Sequence, residues 1–271
     1  MPVVKSPVVL LSTAICAFAL TACTRSPTGH DPQHDLGLLW VKHAAEYQAV
    51  AAQVYAQATR DLPGYIDDKT WSAMPGRRGA SQLPPAVILD VDETVVSNVD
   101  FQLTFERPFA NHKLDTWSSS RDSTAVPGVR KFIDAATASG VTLFFVTNRP
   151  CQPKDGTNDP CPQKETTIAD IREIGFDVDA DFVMLSGERP GWDREKLIRR
   201  EYIAETYRVI MLIGDDLSDF IPCVRNKIYA PCTEVATASS RAAAVEQYQE
   251  YWGAGWYILP NPMHGSWTST H

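Results

Sequence analysis

Short apolar runs alternate with amphipathic segments along most of this chain, and this alternation constrains the fold more than any other feature. Four such runs lie at 86–91, 141–146, 182–185 and 209–213. Runs of this length, bounded by proline, glycine or polar residues, are typical of buried strands rather than of helices. Strands separated by helices form a parallel sheet with right-handed crossovers. The sequence therefore predicts an α/β fold with a parallel sheet.

The segments between these runs have the spacing of helices. Helices are predicted over 36–58, 127–138, 162–173 and 194–206. Pro127 suits the first turn of the second helix, and Gly140 follows its end. The region 98–117 mixes aromatic and polar residues and has no clear strand.

Two carboxylates, Asp90 and Asp92, stand at the end of the first apolar run. Alternate residues of a strand face the same way, so the two acids form a pair at the sheet edge. Like charges this close are unfavourable unless a cation or a proton relieves them, which indicates a bound metal, acid–base chemistry or both. A solvated turn rich in aspartate is the alternative.

Polar residues also follow other predicted strands, and the carboxyl ends of parallel strands meet at one edge of a sheet. They are Thr147, Asn148 and Arg149 after the second run and Asp215, Asp216 and Asp219 after the fourth, with Lys196 on the helix between. A nucleophilic carboxylate, a second acid, a hydroxyl, a lysine and distant carboxylates are the parts required for phosphoryl transfer through an aspartyl-phosphate.

Composition limits the class of protein and its partners. The 271 residues, 44% of them hydrophobic, suffice for one substantial domain with an accessory element. The net charge of −8 argues against a nucleic acid polymer as partner, because such a partner normally requires a basic face. The six histidines show no zinc-binding pattern and are interpreted as non-catalytic.

The N-terminus resembles a bacterial lipoprotein signal. A basic start is followed by an apolar stretch at 8–20 and by small residues before Cys23. This predicts a signal peptide over 1–22, acylation of Cys23, a tether over 23–33 and one domain over 34–271. An ordinary secretory signal cut near Ala22 and an uncleaved anchor are the alternatives.

Export determines the expected location and the state of the cysteines. The predicted location is the bacterial cell envelope, at the outer membrane facing the periplasm, with Cys23 in the lipid bilayer. In an oxidising compartment we predict two local disulfides, Cys151–Cys161 and Cys223–Cys232. A zinc site built from all four cysteines is the alternative, but neither pair has C-x2-C spacing.

Four motifs in order resemble those of the haloacid dehalogenase (HAD) superfamily. They are D-V-D-E-T from Asp90, Thr147, Lys196 and G-D-D-L-S-D from Gly214. The chain is still more similar to the class C acid phosphatases, the bacterial lipoprotein acid phosphatases and 5'-nucleotidases, in V-T-N-R-P-C and in W-Y-I-L-P-N-P-M-H-G-S-W near the end. The resemblance implies a Rossmann-like parallel sheet of HAD type, with helices on both faces and a small, mainly helical cap. Cap elements are expected in 34–75, in 98–125 and in the C-terminal segment.

The resemblance also implies a role for each acid. Asp90 would attack phosphorus, and Asp92 would protonate the leaving group and later activate water. Mg²⁺ would be held by the carboxylates of Asp90 and Asp215 and by the backbone carbonyl of Asp92. Asp216 and Asp219 would orient metal-bound waters or the lysine.

Three further residues are expected to bind the phosphate group, namely Thr147, Asn148 and Lys196. Thr147 could instead cap its strand. Arg194, Arg199 and Arg200 are alternatives to Lys196 as the cation.

The expected substrates are small phosphomonoesters, including nucleoside 5'-monophosphates whose base stacks on an aromatic side chain. The candidate aromatic residues are Phe101, Phe105, Phe109, Trp117, Trp252, Trp256 and Trp267. A lipid-anchored protein that binds a small ligand without turnover, or a different phosphotransferase such as a phosphomutase, is the rival interpretation. The oligomeric state stays open, a dimer included.

Overall fold

The computed structural model describes residues 1–2, 32–77, 81–104, 110–120 and 123–270. The strands are β1 (Pro85–Leu89), β2 (Val96–Ser97), β3 (Thr124–Ala125), β4 (Thr142–Pro150), β5 (Val183–Ser186), β6 (Arg208–Gly214) and β7 (Trp256–Ile258). The helices are α1 (Pro32–His43), α2 (Ala45–Asp67), α3 (Val99–Thr104), α4 (Asn111–Ser118), α5 (Val129–Ala138), α6 (Pro162–Glu173), α7 (Leu197–Ile203) and α8 (Ala238–Gln247). Cys23, Phe105 and Phe109 lie outside the described residues.

A five-stranded sheet in the order β5-β4-β1-β6-β7 forms the centre of the fold. Every neighbouring pair in it is parallel, as the alternation of strands and helices predicts. Successive residues of β1 divide between two hydrophobic clusters, with Val87 and Leu89 in one and Ala86 and Ile88 in the other. This period of two shows that both faces of the central strand are buried, which explains its uninterrupted apolar sequence.

Helices cover both faces of this sheet, as expected. The cluster that contains Val87 also contains apolar residues of α2, α5 and α6, such as Tyr55, Phe132 and Ile171. The opposite cluster contains Ile203 of α7 together with Trp256 of β7. Among the described residues, no helix is long and apolar enough to span a bilayer.

The N-terminal helical region differs from its prediction in two ways. The single helix expected over 36–58 is two helices, because Ala44 adopts an extended conformation (φ −78°, ψ 127°) between α1 and α2. The two helices also have different partners, since α1 packs on Val99 and Met263 while α2 packs in the main core. The segment 34–75 therefore does not lie wholly in a cap, because α2 forms a layer of the central domain.

The bounds of two other elements differ from the sequence prediction. Strand β4 continues through Pro150, so Thr147, Asn148 and Arg149 lie within the strand rather than after it; Pro150 still pairs with Ser186 of β5. Helix α7 is shorter than the predicted 194–206, and Lys196 is the residue that precedes its first turn.

An excursion after β1 forms a small helical element above the sheet edge. It contains α3 and α4 and is closed by the antiparallel pair β2–β3, in which Val96 faces Ala125. This excursion lies in the segment 98–125, where the sequence predicts a cap element. Ser118 at the end of α4 donates a hydrogen bond to Asp170 of α6, which connects the excursion to the central domain.

Both predicted disulfides are present. Cys151 pairs with Cys161 and Cys223 pairs with Cys232, at Cα–Cα distances of 4.7 and 5.3 Å. Each closes a loop next to the carboxyl edge of the sheet. The zinc site considered as an alternative for these four cysteines is therefore excluded.

Candidate active site

Asp90 and Asp92 are placed by a tight turn directly after β1. The amide of Asp90 donates to the carbonyl of Ile213, which continues the pairing of β1 with β6. The chain then reverses at Glu93, whose φ of 60° lies in the left-handed region. Tyr55 of α2 stabilises the turn, because its hydroxyl donates a hydrogen bond to the carbonyl of Thr94 at 2.7 Å. The two acids thus lie at the edge of the sheet but face different partners.

Lys196 lies between two carboxylates. Its Nζ contacts Oδ1 of Asp90 and lies 2.7 Å from Oδ1 of Asp219, and the lysine side chain is only 4% exposed. Burial by itself would lower the pKa of Lys196, but the charges of Asp219 and Asp90 raise it. A protonated lysine is therefore held against the carboxylate that the sequence indicates as the nucleophile.

Asp219 acts as the support for this lysine. Its second oxygen, Oδ2, accepts hydrogen bonds from the amides of Asp215 and Asp216 at 3.1 and 3.0 Å. The same loop approaches closely at Gly214, where a Cβ atom would lie 2.3 Å from the Asp219 carboxylate. The glycine of G-D-D-L-S-D is thus required by the close approach of this side chain.

Asp90, Asp215 and Asp219 form a cluster in which one oxygen of each lies within 4.8 Å of the others. Asp215 accepts hydrogen bonds from Thr94 Oγ1 at 3.1 Å and from Asn261 Nδ2 at 2.7 Å. Burial, followed by repulsion from Asp90 and Asp219, raises the pKa of Asp215 well above its usual range. Burial likewise raises the pKa of Asp90, although Lys196 opposes it.

This repulsion fits a divalent cation with oxygen ligands. Hard cations such as Mg²⁺ take carboxylate and carbonyl oxygens, and a bound cation would relieve the close approach of Asp90 to Asp215. Asp219 is already engaged by Lys196 and by two amides, so Asp90 and Asp215 are the better donors. The carboxylate of Asp92 is absent from the cluster.

The carboxylate of Asp92 is bound by three side chains. It accepts hydrogen bonds from Asn98 Nδ2 at 2.8 Å, from Arg149 Nη2 at 2.8 Å and from Thr147 Oγ1 at 3.3 Å. Burial would raise the pKa of Asp92, but the neighbouring Arg149 charge outweighs it and lowers the pKa. Thr147, expected at the phosphate, thus lies directly beside Asp92.

Arg149 had no predicted role, although it forms the strongest contact of Asp92. Its Nη1 also reaches Asp170 of α6 at 2.5 Å, so this guanidinium joins two carboxylates. Asp170 is almost fully buried and also accepts from Ser123 Oγ at 2.9 Å. A buried charge requires a partner, so an arginine in an apolar strand was the available signal for this pairing.

Asn148, Arg199 and Arg200 each donate a hydrogen bond to a backbone carbonyl. Asn148 donates to the carbonyl of Arg194 at 3.1 Å and accepts from Arg199 Nη2 at 2.7 Å. Arg199 also binds the carbonyl of Thr147, whereas Arg200 binds the carbonyl of Asp219 at 2.7 Å. Lys196, rather than either arginine, therefore provides the cation in contact with Asp90.

This arrangement agrees with what comparison with known proteins finds. A family model described as HAD superfamily, subfamily IIIB (acid phosphatase) matches residues 31–267. The chain belongs to this acid phosphatase family.

Solved structures support the same assignment. Two structures of the class C acid phosphatase from Bacillus anthracis, one with tungstate bound, are each 26% identical to this chain. Each superposes with a TM-score of 0.67 and covers 87% of this chain and 86% of the other. The resemblance to class C acid phosphatases is therefore confirmed for both fold and family.

The C-terminal segment of this acid phosphatase contributes three contacts that sequence reasoning missed. Besides the bond from Asn261 to Asp215, His264 Nε2 lies 3.0 Å from Glu93 Oε2. Ser266 donates through its amide and its hydroxyl to Asp216. These contacts join residues far apart in sequence, and the motif ending in H-G-S-W was the only hint of them.

The side chain of Asp216 is held by hydrogen bonds within its own loop and from the C-terminal segment. Burial would raise the pKa of Asp216, but the charge of Arg225 and hydrogen bonds from Ser266 and Ser218 lower it to about 2. Its side chain caps the turn that begins at Leu217. Asp216 therefore shapes the loop that carries Asp215 and Asp219.

A cavity of about 1270 Å³ opens above these residues in the acid phosphatase. Its lining includes Asp90, Asp92, Thr147, Asn148, Lys196, Asp215, Asp216 and Asp219. Of the aromatic candidates within the described residues, Trp267 alone lines it. Trp252 and Trp256 pack in the core, and Phe101 packs on Trp117 with ring centroids 5.8 Å apart. Tyr229, which was not a candidate, also lines the cavity.

Proposed function

We propose that this chain is an exported, lipid-anchored, Mg²⁺-dependent acid phosphatase that hydrolyses small phosphomonoesters, including nucleoside 5'-monophosphates, through an aspartyl-phosphate. The observation that carries the proposal is the contact of Lys196 with Asp90 at the floor of an open cavity. A carboxylate kept beside a buried cation and accessible from a cavity is suited to attack on a phosphorus atom.

The first step forms the bond between a carboxylate oxygen of Asp90 and phosphorus. The bond from phosphorus to the leaving oxygen breaks, and Asp92 gives a proton to that oxygen. An alkoxide leaving group requires this proton, which is the reason for a second acid near the nucleophile. Lys196 and the hydroxyl of Thr147 bind the phosphoryl oxygens, where negative charge collects.

The second step releases phosphate. Asp92 takes a proton from a water molecule, whose oxygen bonds to phosphorus while the bond from phosphorus to Asp90 breaks. Asp90 then regains its carboxylate and Asp92 its proton. Arg149 stabilises the ionised form of Asp92, which is the form that accepts the proton from water.

The carboxylates of Asp90 and Asp215, with the backbone carbonyl of Asp92, are the residues that would hold Mg²⁺. When bound, the cation supplies positive charge that stabilises the phosphoryl oxygens. Asn261 and Thr94 orient Asp215 for this role through their hydrogen bonds.

Tungstate in the Bacillus anthracis class C acid phosphatase supports a phosphate-binding function, because tungstate is a tetrahedral oxyanion like phosphate. The cavity is large enough for a nucleotide, since typical small-molecule pockets measure roughly 300–1,000 Å³. Trp267 and Tyr229 on its wall offer aromatic surfaces for a base.

The decisive experiment measures phosphate release by the purified protein from p-nitrophenyl phosphate and a nucleotide panel, with and without Mg²⁺. The wild type should release phosphate only with the metal, and Asp90→Asn should reduce the rate by several orders of magnitude. Asp134→Asn, an exposed aspartate on α5, is the matched control and should retain full activity. Equal rates for Asp90→Asn and the wild type would refute the mechanism.

The same experiment separates the rival functions. A binding protein would show no release of phosphate from any monoester. A phosphomutase would transfer the group to a second position of a sugar phosphate rather than to water, which product analysis detects.

The lipid anchor has a separate test in cells. Mass spectrometry of the N-terminal peptide should find acylated Cys23, and Cys23→Ser should release the protein from membranes. Fractionation of inner and outer membranes then tests the outer-membrane location. A wild-type protein recovered with an unmodified N-terminus would contradict the anchor.

A further inference from the structure

The positive side chains that line the cavity divide into two groups. Three have carboxylate partners, since Lys196 contacts Asp90 and Asp219, Arg149 contacts Asp92 and Asp170, and Lys154 contacts Asp115. The others are Arg194, Arg225 and Lys227. Within the described part of the chain, no carboxylate oxygen lies within 4.0 Å of the charged nitrogens of these three.

Arg194 and Arg225 both line the cavity, and their charges interact. Burial and then the positive charge of Arg225 lower the pKa of Arg194. Both side chains are partly buried, whereas Lys227 is exposed. Two partly buried guanidinium groups that repel each other are unfavourable unless an anion binds between or beside them.

The side chain of Arg225 and the backbone of Arg194 are held by hydrogen bonds. The side chain of Arg225 donates to Ser218 Oγ at 2.5 Å, and its carbonyl accepts from the amide of Ala236 at 2.7 Å. The carbonyl of Arg194 accepts from Asn148 at 3.1 Å. The guanidinium of Arg225 is therefore preorganised, while Arg194 is fixed at its backbone.

A buried carboxylate joins the two segments that carry these arginines. Glu195, which follows Arg194, is fully buried and accepts from the amide of Cys223 at 3.3 Å. Cys223 begins the disulfide loop that contains Arg225. Asp216 interacts electrostatically with both arginines, and Glu195 interacts with Arg225. The oxygens of Asp216, however, accept hydrogen bonds from the amide of Ser218 and from Ser266.

We propose that Arg194 and Arg225 form a second anion site in the cavity, and that this site selects phosphomonoesters that carry a second phosphate group. Guanidinium groups suit this ligand because each can donate two parallel hydrogen bonds to phosphate oxygens. The second phosphate binds at the arginines while the first lies over Asp90 and Lys196. The inference rests on the proposed function and deepens it, since it names the substrate class.

The test compares adenosine 5'-monophosphate with adenosine 3',5'-bisphosphate on the intact protein. Initial rates with Mg²⁺ give KM for each substrate, and chromatography identifies which phosphate is released. The KM for the bisphosphate should be lower by about tenfold or more, the ratio expected for one added charge-assisted hydrogen bond. Arg194→Met and Arg225→Met should each reduce this ratio towards one, whereas Arg130→Met on the exposed face of α5 should leave it unchanged.

A second measurement makes the inference independent of turnover. Isothermal titration calorimetry on Asp90→Asn, in the same buffer, compares the Kd values of the two nucleotides. Equal affinities, or a preference that survives in both arginine variants, would overturn the second anion site even if adenosine monophosphate is hydrolysed. The protein could also release no phosphate and yet bind the bisphosphate more tightly, with a preference that depends on the two arginines. That result would refute the phosphatase mechanism and support the second anion site.

Discussion

The guanidinium of Arg149 lies against the carboxylate of Asp92, with Nη2 2.8 Å from Oδ1 and Nε 3.1 Å from both oxygens. Its remaining nitrogen, Nη1, binds Asp170. Asp170 also accepts hydrogen bonds from the hydroxyls of Ser118 and Ser123 in the helical excursion. One side chain thus connects the proposed proton donor to α6 and to the cap. Arg149 therefore orients Asp92 without contacting the substrate or the metal itself.

Arg149→Lys should lower kcat about tenfold or more for nucleoside monophosphates, since lysine keeps the charge but lacks the planar fork. The loss should be smaller for p-nitrophenyl phosphate, because p-nitrophenolate leaves without a proton. Steady-state kinetics on both substrates checks this, with Arg130→Lys as the control. Equal losses on the two substrates would show that Arg149 does not act through the proton donor.

Arg149→Met should also destabilise the protein by about 3–5 kcal/mol, because it leaves the buried Asp170 and the partly buried Asp92 without their partner. Urea denaturation monitored by tryptophan fluorescence measures this. The lysine variant should retain most of the stability. A methionine variant as stable as the wild type would mean that Asp92 and Asp170 do not depend on this charge.

Asn261 is expected to control metal affinity. Its amide orients Asp215, while its carbonyl oxygen accepts from the amides of Met263 and His264. Asn261→Ala should raise the Mg²⁺ concentration for half-maximal activity roughly 10- to 100-fold, the range for lost support of a metal ligand. Asn158→Ala, in an exposed loop, is the control, and unchanged Mg²⁺ titrations would contradict the role.

The two disulfides offer a matched pair of variants. Each closes a loop of about ten residues, so removing either should cost about 3 kcal/mol of unfolding free energy by the loop-entropy estimate. Cys223→Ser with Cys232→Ser should in addition weaken the preference for the bisphosphate, because Arg225 lies in that loop. Cys151→Ser with Cys161→Ser should lose similar stability and keep the preference. Denaturation curves and KM ratios on both variants decide this.

The central fold was predictable from sequence because buried parallel strands have uninterrupted apolar runs, as at Val87 and Leu89. Strand β7 was missed because three residues between glycines and a proline give too short a pattern. The break at Ala44 was missed because apolar spacing continues across it. Asp90 and Asp215 could be proposed because they follow strands at one sheet edge, and Lys196 because it lies on the helix predicted before the fourth strand.

Other parts of the site could not be predicted because they depend on contacts between distant segments. Asn261 reaches Asp215 from 46 positions away, and Arg149 reaches Asp92 from 57. An arginine in an apolar strand indicates that a partner is required, but neither residue type nor local spacing indicates which residue it is. His264 was interpreted as non-catalytic from the absence of a zinc motif, a criterion that does not detect its contact with Glu93.

Glu195 should make stability depend on pH in a direction unusual for a carboxylate. Burial raises the pKa of Glu195 above its ordinary value of 4.5, against the opposing bond from Cys223, and Oε1 has no hydrogen-bond partner among the described residues. The folded state therefore holds this proton more tightly than the unfolded state. Its contribution is fully present below pH 4.5 and is lost as the pH rises through the folded-state pKa. Glutamine at position 195 does not titrate. The unfolding free energy of Glu195→Gln should therefore increase relative to that of the wild type as the pH rises above 4.5 in urea denaturation series. A difference that stays constant with pH would show that Glu195 is ionised in the folded protein as readily as in the unfolded chain.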